Sequence, residues 1–504
     1  MKTWITPALL ASALLTAVSL PALADDLPMI AAQLTTAPLH NYDDAPATPD
    51  GDDPAIWVNR VNPRQALVIA TAKDAGLLVY SKTGTLIQAI LPPNAPQIGE
   101  ADPATPGGLN PVAHACADSE DGTTFSRFNN VDIAYGVKLG TGRRSPRADV
   151  AIVSDRGCDR IRFYKIDPLN ATAPLTDITA ADAPRVFPTR FNQPSPLQPD
   201  AQPGWDENPL DDQNTVYGLT VGQGRAGDQI FVTQRERGTI KQLSIVARAD
   251  GTLTYAPLRR FLFNTNFELT GNDGSYYGWT PCREEAGEDP QSEGLVFDAV
   301  NNDLYVAFET IGLYRIKLQD AMPTQVNVGF EQLIEPVKTF GTTYTATPDD
   351  GEFECEYGGE AVAGDDAIVA PGSDLHAGQN IEADLEGLSI ISSKPGFTLL
   401  LASSQGDNSF HLYGMQRNLT HYGAFLIDGV EETDGVHFVP VPFSRDYPLG
   451  TLVVQNGAAP EPADTGAING YEYDGSTQFK YVSFAEALKA VFKPVTKEYS
   501  LPGL

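Results

Sequence analysis

One short pattern recurs six times along this 504-residue chain and restricts the fold more than any other feature. An acidic or polar residue, often followed by glycine, opens an apolar strand. After a gap, a second apolar strand ends in a small-residue turn that carries one polar group, and a third strand ends near an aromatic residue. The first copy is DDPAIWV from Asp52 with LVIATAKDAGLLVY from Leu67, and the second is NNVDIAY from Asn129 with DVAIVSDRGCDRIRFYKI from Asp149. The third is VYGLTV from Val216 with QIFVTQRERGTIKQLSIV from Gln229, and the fourth is SEGLVFD from Ser292 with DLYVAFETIGLYRIKL from Asp303. The fifth is DLEGLSII from Asp384 with FTLLLASSQGDNSFHLYG from Phe397. The sixth is TDGVHFV from Thr433 with GTLVVQNGAAP from Gly450 and QFKYVSF from Gln478.

Repetition of a unit built from strands predicts a radial fold, because closing a ring leaves no long sheet edge exposed. The expectation is an all-β, six-bladed β-propeller with long loop insertions between strands. The 45 glycines and 39 prolines suit many short strands joined by turns. Four insertions, Pro92–Arg127, Ala171–Asn214, Asn264–Gln291 and Val337–Asn380, are expected as loops on the faces that shape access to a site. Residues Asp25 to Gly51 are expected either to wrap the first blade or to close the ring, and Ala485 to Phe492 to form a short helix whose Lys489 marks a solvated face.

The opening MKTWITPALLASALLTAVSLPALADD has a lysine, an apolar core and Ala22-Leu23-Ala24 before two aspartates, which reads as a cleaved secretory signal over residues 1–24. Residues 25–504 are then one propeller domain, secreted or periplasmic and expected as a monomer. Four cysteines in an exported chain imply two disulfides. Of the three pairings, Cys116 with Cys158 and Cys282 with Cys355 is preferred, since each pair brackets one unit and its insertion. No cysteine begins a C-x5-R phosphate loop or has zinc spacing. A formal charge of −31 argues against nucleic acid or an anionic membrane as partner, and most of the 65 carboxylates are expected simply to solubilise the surface.

Stacking the six copies brings out the chemistry. Equivalent positions in successive blades form rings about the axis. The residues opening the first strands are Asp53, Asn130, Tyr217, Glu293, Glu386 and Asp434, a carboxylate-rich ring. The polar residues in the second-strand turns are Lys73, Arg156, Arg235, Glu309, Gln405 and Gln455, three cations facing an acid and two amides. Converging carboxylates stay ionised only if cations hold them. Hard oxygen donors without His or Cys favour Ca²⁺, to which Asp52, Asn129, Asp384 and turn carbonyls can contribute. A metal cluster facing a basic half-ring suits a multiply phosphorylated anion.

The motifs DDPAIWV, NNVDIAYG, SDR, VYG, SEGL, DLEGLSI, LASSQGDNSF and TDGV, in this order over nearly the whole chain, resemble those of the β-propeller phytases, a calcium-dependent alkaline family. The resemblance implies hydrolysis of phytate (inositol hexakisphosphate), commonly as a 3-phytase. In that family a metal-bridged water attacks phosphorus with no covalent phospho-enzyme, and a second phosphate is held nearby. By motif, the metal set is Asp53, Asn129, the Val131 carbonyl, Glu293, Asp384, Glu386, Gln405 and Asp434, with several calcium ions. The phosphate-holding set is Lys73, Arg156, Tyr217 and Arg235, with Glu309 near the cleaved phosphate and phytate taken as its calcium salt. The chain departs from the family in having TQR where TGK is usual, so that Arg235 replaces a lysine, and in its insertions and cysteines.

Taken singly, these residues have plainer readings. An Asp-Gly or Glu-Gly before a strand is usually a turn, a lone Lys or Arg in a turn is usually solvated, and Tyr217 equally fits as a packing residue. Registration round the ring favours the site. No RHG motif exists, so histidine acid phosphatase chemistry is disfavoured and the six histidines are expected as surface or packing groups. Two other functions stay open: a calcium-centred propeller hydrolase of another class, such as a lactonase, and a propeller that binds phosphorylated ligands without turnover.

Overall fold

The computed structural model describes residues 27–492 except 44, 46, 96–114, 121, 123, 191–207, 211–212, 225–226, 284–288, 320, 350–351, 359–366, 395–396, 416–418 and 469. Residues 1–24, expected as a secretory signal, lie outside the described residues. Among the described residues, six sheets of four or more strands follow one another along the chain. Their first strands are Pro54–Val58, Phe128–Lys138, Val216–Gly224, Leu295–Asp298, Leu385–Lys394 and Val436–Val439. Each first strand touches that of the next sheet, and the sixth returns to the first, so the ring is closed. This is the all-β propeller expected from the sixfold pattern.

The apolar runs in the template follow from this geometry. A strand near the axis has neighbouring sheets on both faces, so PAIWV is buried at every position and the second strands ALVIAT and DLYVAF nearly so or entirely. The side chains meet between sheets. Trp57, Ile69 and Val79 of the first sheet pack with Phe128, Val153 and Tyr164 of the second. Ile56, Val68 and Tyr80 meet Val453, Phe479 and Tyr481 of the sixth across the closing seam.

The ring is closed by the two ends of the described chain. Leu34 and Thr35 pair with Tyr481 and Lys480, and Leu39–Tyr42 pairs antiparallel with residues 473–477. Of the two readings of the N-terminal segment, closure of the ring is the one observed. The helix runs Phe484–Val491, one residue earlier than expected, and Lys489 is exposed, paired only with Glu486 at 2.7 Å.

Two insertions are more than the loops the sequence suggested. Within Asn264–Gln291, strands Phe267–Thr270 and Tyr276–Trp279 form a hairpin. Within Val337–Asn380, Tyr344–Asp349 pairs with Glu352–Tyr357 and with Ile368–Ala370. Phe267, Trp279 and Phe340 pack edge-on or tilted with centroids 4.9–6.0 Å apart, joining the two insertions to the core shared by the third to fifth sheets. The Cys282–Cys355 disulfide joins them, and Cys116–Cys158 is the second disulfide; both pairings are those expected. Among the described residues no helix is long and apolar enough to cross a membrane.

Candidate active site

The glycine of the template has a specific purpose. A Cβ on Gly218 would lie 1.8 Å from the Glu293 carbonyl oxygen, and one on Gly294 would lie 1.9 Å from that of Glu386. On Gly387 it would meet the Asp434 carbonyl at 2.6 Å, and on Gly435 Asp53 Oδ1 at 2.5 Å. Each glycine therefore admits the ring residue of the next sheet, and Gly387 N donates to Asp434 O at 2.9 Å. Tyr217, Glu293, Glu386, Asp434 and Asp53 are thus linked in series, too close for any side chain between them.

On the acidic side, Glu293, Glu309 and Glu386 offer carboxylate oxygens within 4.8 Å of one another. Glu309 follows the strand Asp303–Phe308; its amide donates to Gln291 O and its carbonyl accepts from Leu385 N, both at 3.1 Å. Glu293 and Glu386 are 6% and 5% exposed. Burial pushes the carboxyls of Glu309 and Glu386 well above the usual range, and neighbouring carboxylates (Asp384 and Glu293 for Glu309, Glu309 and Glu293 for Glu386) push the same way. Asp434 is raised to about 7, again first by burial, with Lys73 pulling it back. Glu309 Oε1, Glu386 Oε2 and Asp52 Oδ1 are buried without a hydrogen-bond partner. Unpartnered acceptor oxygens on closely set carboxylates fit a hard cation; ligand distances of about 2.3–2.6 Å let oxygens this close share one calcium ion.

The other expected metal residues stand around this trio. Asn129, fully buried, donates from Nδ2 to Glu293 Oε1 at 3.0 Å. Gln405 donates to Asp434 Oδ1 at 2.8 Å, and Asp384 O accepts from Gln405 N at 2.8 Å. Asp53 accepts from Val131 N at 3.0 Å, so Val131 meets it through its amide nitrogen. Burial raises the Asp53 carboxyl strongly, against that hydrogen bond.

On the basic side, Lys73 sits in the left-handed region (φ 40°), with Nζ 2.5 Å from Asp50 and 4.0 Å from Asp52. Burial opposes its charge, but the two aspartates outweigh it and raise its pKa. Arg156 donates to Gln213 Oε1 at 3.0 Å and to Asn129 Oδ1 at 3.3 Å, and lies 5.6 Å from the centroid of the Tyr217 ring. Its pKa falls to about 10 through burial and the nearby Arg127 and Arg235. Arg235 pairs with Glu236 and has a buried, unpartnered Nε. Glu309 was grouped by sequence with the cleaved phosphate; the structure sets its carboxylate in the acidic trio.

Four residues here escaped the sequence reading. Asp50 is the counter-ion of Lys73, and Glu236 that of Arg235. Gln291 donates to the Tyr217 hydroxyl at 3.1 Å. Arg127 lies between two of the predicted cations: Arg156 N donates to Arg127 O at 2.8 Å, and Phe128 N to Lys73 O at 3.1 Å. Its Nη1 is 2.9 Å from Asp74. The available signal was proximity, since each lies within three residues of a motif residue. Among the described histidines, His411 is buried with Nδ1 3.0 Å from His421 Nε2, and His437 Nδ1 accepts from Ile56 N at 3.0 Å.

The phytase family matches residues 2–91 and 331–486 of the chain. The 3-phytase of Bacillus subtilis (strain 168) is 24% identical over 467 residues, covering 91% of this chain and 84% of that protein. Among solved structures, the periplasmic gluconolactonase of Pseudomonas aeruginosa is 12% identical with a TM-score of 0.33, over 77% of this chain and 73% of its own. The PQQ-bound aldose sugar dehydrogenase of Streptomyces coelicolor is 11% identical with a TM-score of 0.34, over 90% and 100%. Scores this low carry no argument about the present chain. The sequence matches and the all-β ring define a phosphatase of the phytase type. The chain belongs to the β-propeller phytase family.

Proposed function

We propose that the chain is a calcium-dependent, 3-phytase-type enzyme that hydrolyses phosphomonoesters of phytate, presented as its calcium salt, to phosphate and lower inositol phosphates. The observation that supports this best is the joining of two opposite sites: Arg156 donates to Asn129, which donates to Glu293 of the acidic trio. A phosphate can then be held by guanidinium groups while its ester faces the carboxylates.

In this reading Asp53, Asn129, Val131, Glu293, Asp384, Glu386, Gln405 and Asp434 hold calcium, joined by Glu309. Bound calcium supplies a more acidic water and neutralises charge developing at phosphorus. Arg156 and Arg235 hold phosphate oxygens, and Tyr217 donates its hydroxyl. Lys73 exchanges Asp50 for the substrate. Residues 25–504 act as one monomeric domain after removal of residues 1–24, and two disulfides suit a secreted or periplasmic location.

The test is phosphate release from calcium phytate by purified residues 25–504, with and without a calcium chelator. Release that the chelator abolishes is expected. No release with calcium present overturns the reading.

A further inference from the structure

The insertion between Asn264 and Gln291 ends within the site, two residues before Glu293. Its last residue touches both halves of the machinery. Gln291 Nε2 donates to the Tyr217 hydroxyl at 3.1 Å, and the Gln291 carbonyl accepts from Glu309 N at 3.1 Å. The side-chain amide also hydrogen-bonds the Glu309 carboxylate.

These contacts decide how the amide is turned. A carboxylate only accepts, and so the amide edge facing Glu309 is the NH₂ edge, which also reaches Tyr217. A phenol has one hydrogen and can accept as well as donate. With its oxygen accepting from Gln291, the Tyr217 hydroxyl keeps that hydrogen for another partner, and no described residue accepts it within hydrogen-bond distance. Arg156 packs on the same ring, placing a cation and a neutral donor side by side.

We propose that Gln291 is a positioning residue: it sets the polarity of the Tyr217 hydroxyl so that the hydroxyl donates to a phosphate oxygen of the substrate, and it ties that donor to Glu309 across the seam between the third and fourth sheets. The inference rests on the phytase reading for the substrate, though not for the contact itself. Gln291→Glu keeps the shape and reverses the polarity, so that the hydroxyl turns toward residue 291. Gln291→Leu removes the contact and leaves the hydroxyl free to rotate.

The experiment compares Gln291→Glu, Gln291→Leu, Tyr217→Phe and the Tyr217→Phe/Gln291→Glu double variant, with thermal melting to confirm folding. Two readouts are used: kcat/KM for phytate, and calorimetric binding of inositol hexasulfate, which is not a phosphate ester. Loss of one charge-assisted hydrogen bond is expected to cost about tenfold or more in Gln291→Glu and in Tyr217→Phe. Gln291→Leu should lose less, and the double variant no more than Tyr217→Phe alone. Equal losses in the Glu and Leu variants, or a Gln291→Glu effect that multiplies undiminished on Tyr217→Phe, overturn the proposal. If the wild type binds the sulfate but releases no phosphate, the hydrolytic reading fails, while the binding ratios still decide the role of Gln291.

Discussion

Asn129 donates from Nδ2 to Glu293 Oε1 at 3.0 Å while its own Oδ1 accepts from Arg156 at 3.3 Å. One amide therefore spans the acidic and basic halves, and its removal should disturb both. Asn129→Ala is expected to raise the calcium concentration needed for activity and the KM for phytate together, each about 10–100-fold. Calcium titrations at fixed phytate, and the converse, measure this. A change in only one of the two would mean that the halves are independent.

Gly294→Ala places a methyl group 1.9 Å from the Glu386 carbonyl, a backbone atom that cannot swing aside. Forcing extra volume into a tight contact costs about 1–3 kcal/mol, so a clear fall in Tm and weaker calcium binding are expected. Gly278→Ala is the control, since nothing lies within 4 Å of its added carbon. Equal Tm values for the two variants would remove the structural reason given for the template glycine.

Without metal, the buried carboxyls make stability depend on pH in an unusual direction. Burial raises the Asp434 carboxyl to about 7 in the folded chain, and it raises Glu309 and Glu386 well above the usual carboxylate range. The folded state therefore binds more protons than the unfolded state above about pH 4, so its stability falls as pH rises from there through 7 and beyond. In chelator, Tm should drop across this range; calcium should flatten or reverse the slope. A chelated protein more stable at pH 8 than at pH 5 would contradict the assignment.

The two disulfides should differ in effect. Cys158 lies two residues after Arg156, and the Arg156–Gly157 turn is already tied to Arg127 by backbone hydrogen bonds. Cys282–Cys355 joins the insertions to each other. Replacing either pair with serine should cost about 2–4 kcal/mol. Only the Cys116/Cys158 change should also raise the KM for phytate, as measured on folded protein below the melting temperature.

Arg127 stands between Lys73 and Arg156, with Asp74 as its partner. Arg127→Ala is expected to weaken phytate binding about tenfold by removing one charge-assisted contact, whereas Asp74→Asn should strengthen it at low salt. The opposite pair of effects in KM would show that the ion pair is purely structural.

Much of this architecture was legible because ring folds repeat their constraints. Strands buried on both faces demand apolar runs, and ring positions recur at the same place in each copy, so Glu293, Glu386 and Asp434 stand out in the sequence alone. What failed to show was whatever does not repeat. Arg127, Asp50 and Gln291 lie just outside the template, on segments unique to one sheet, and a pattern built from equivalences cannot register them. The glycine was visible but its cause was not, since the atom it makes room for belongs to the next sheet. The insertions looked like loops because their strands are short and their packing partners lie in another insertion, joined by Cys282–Cys355.

The pairing of Leu34 and Thr35 with Tyr481 and Lys480 has a bearing on time as well as space. A ring fastened by strands this far apart in sequence is completed only once Tyr473–Ser483 has been made. Until Tyr473–Ser483 is made, the sixth sheet lacks a middle strand. Closure of the ring therefore waits on this strand, and contacts this distant in sequence favour slow maturation.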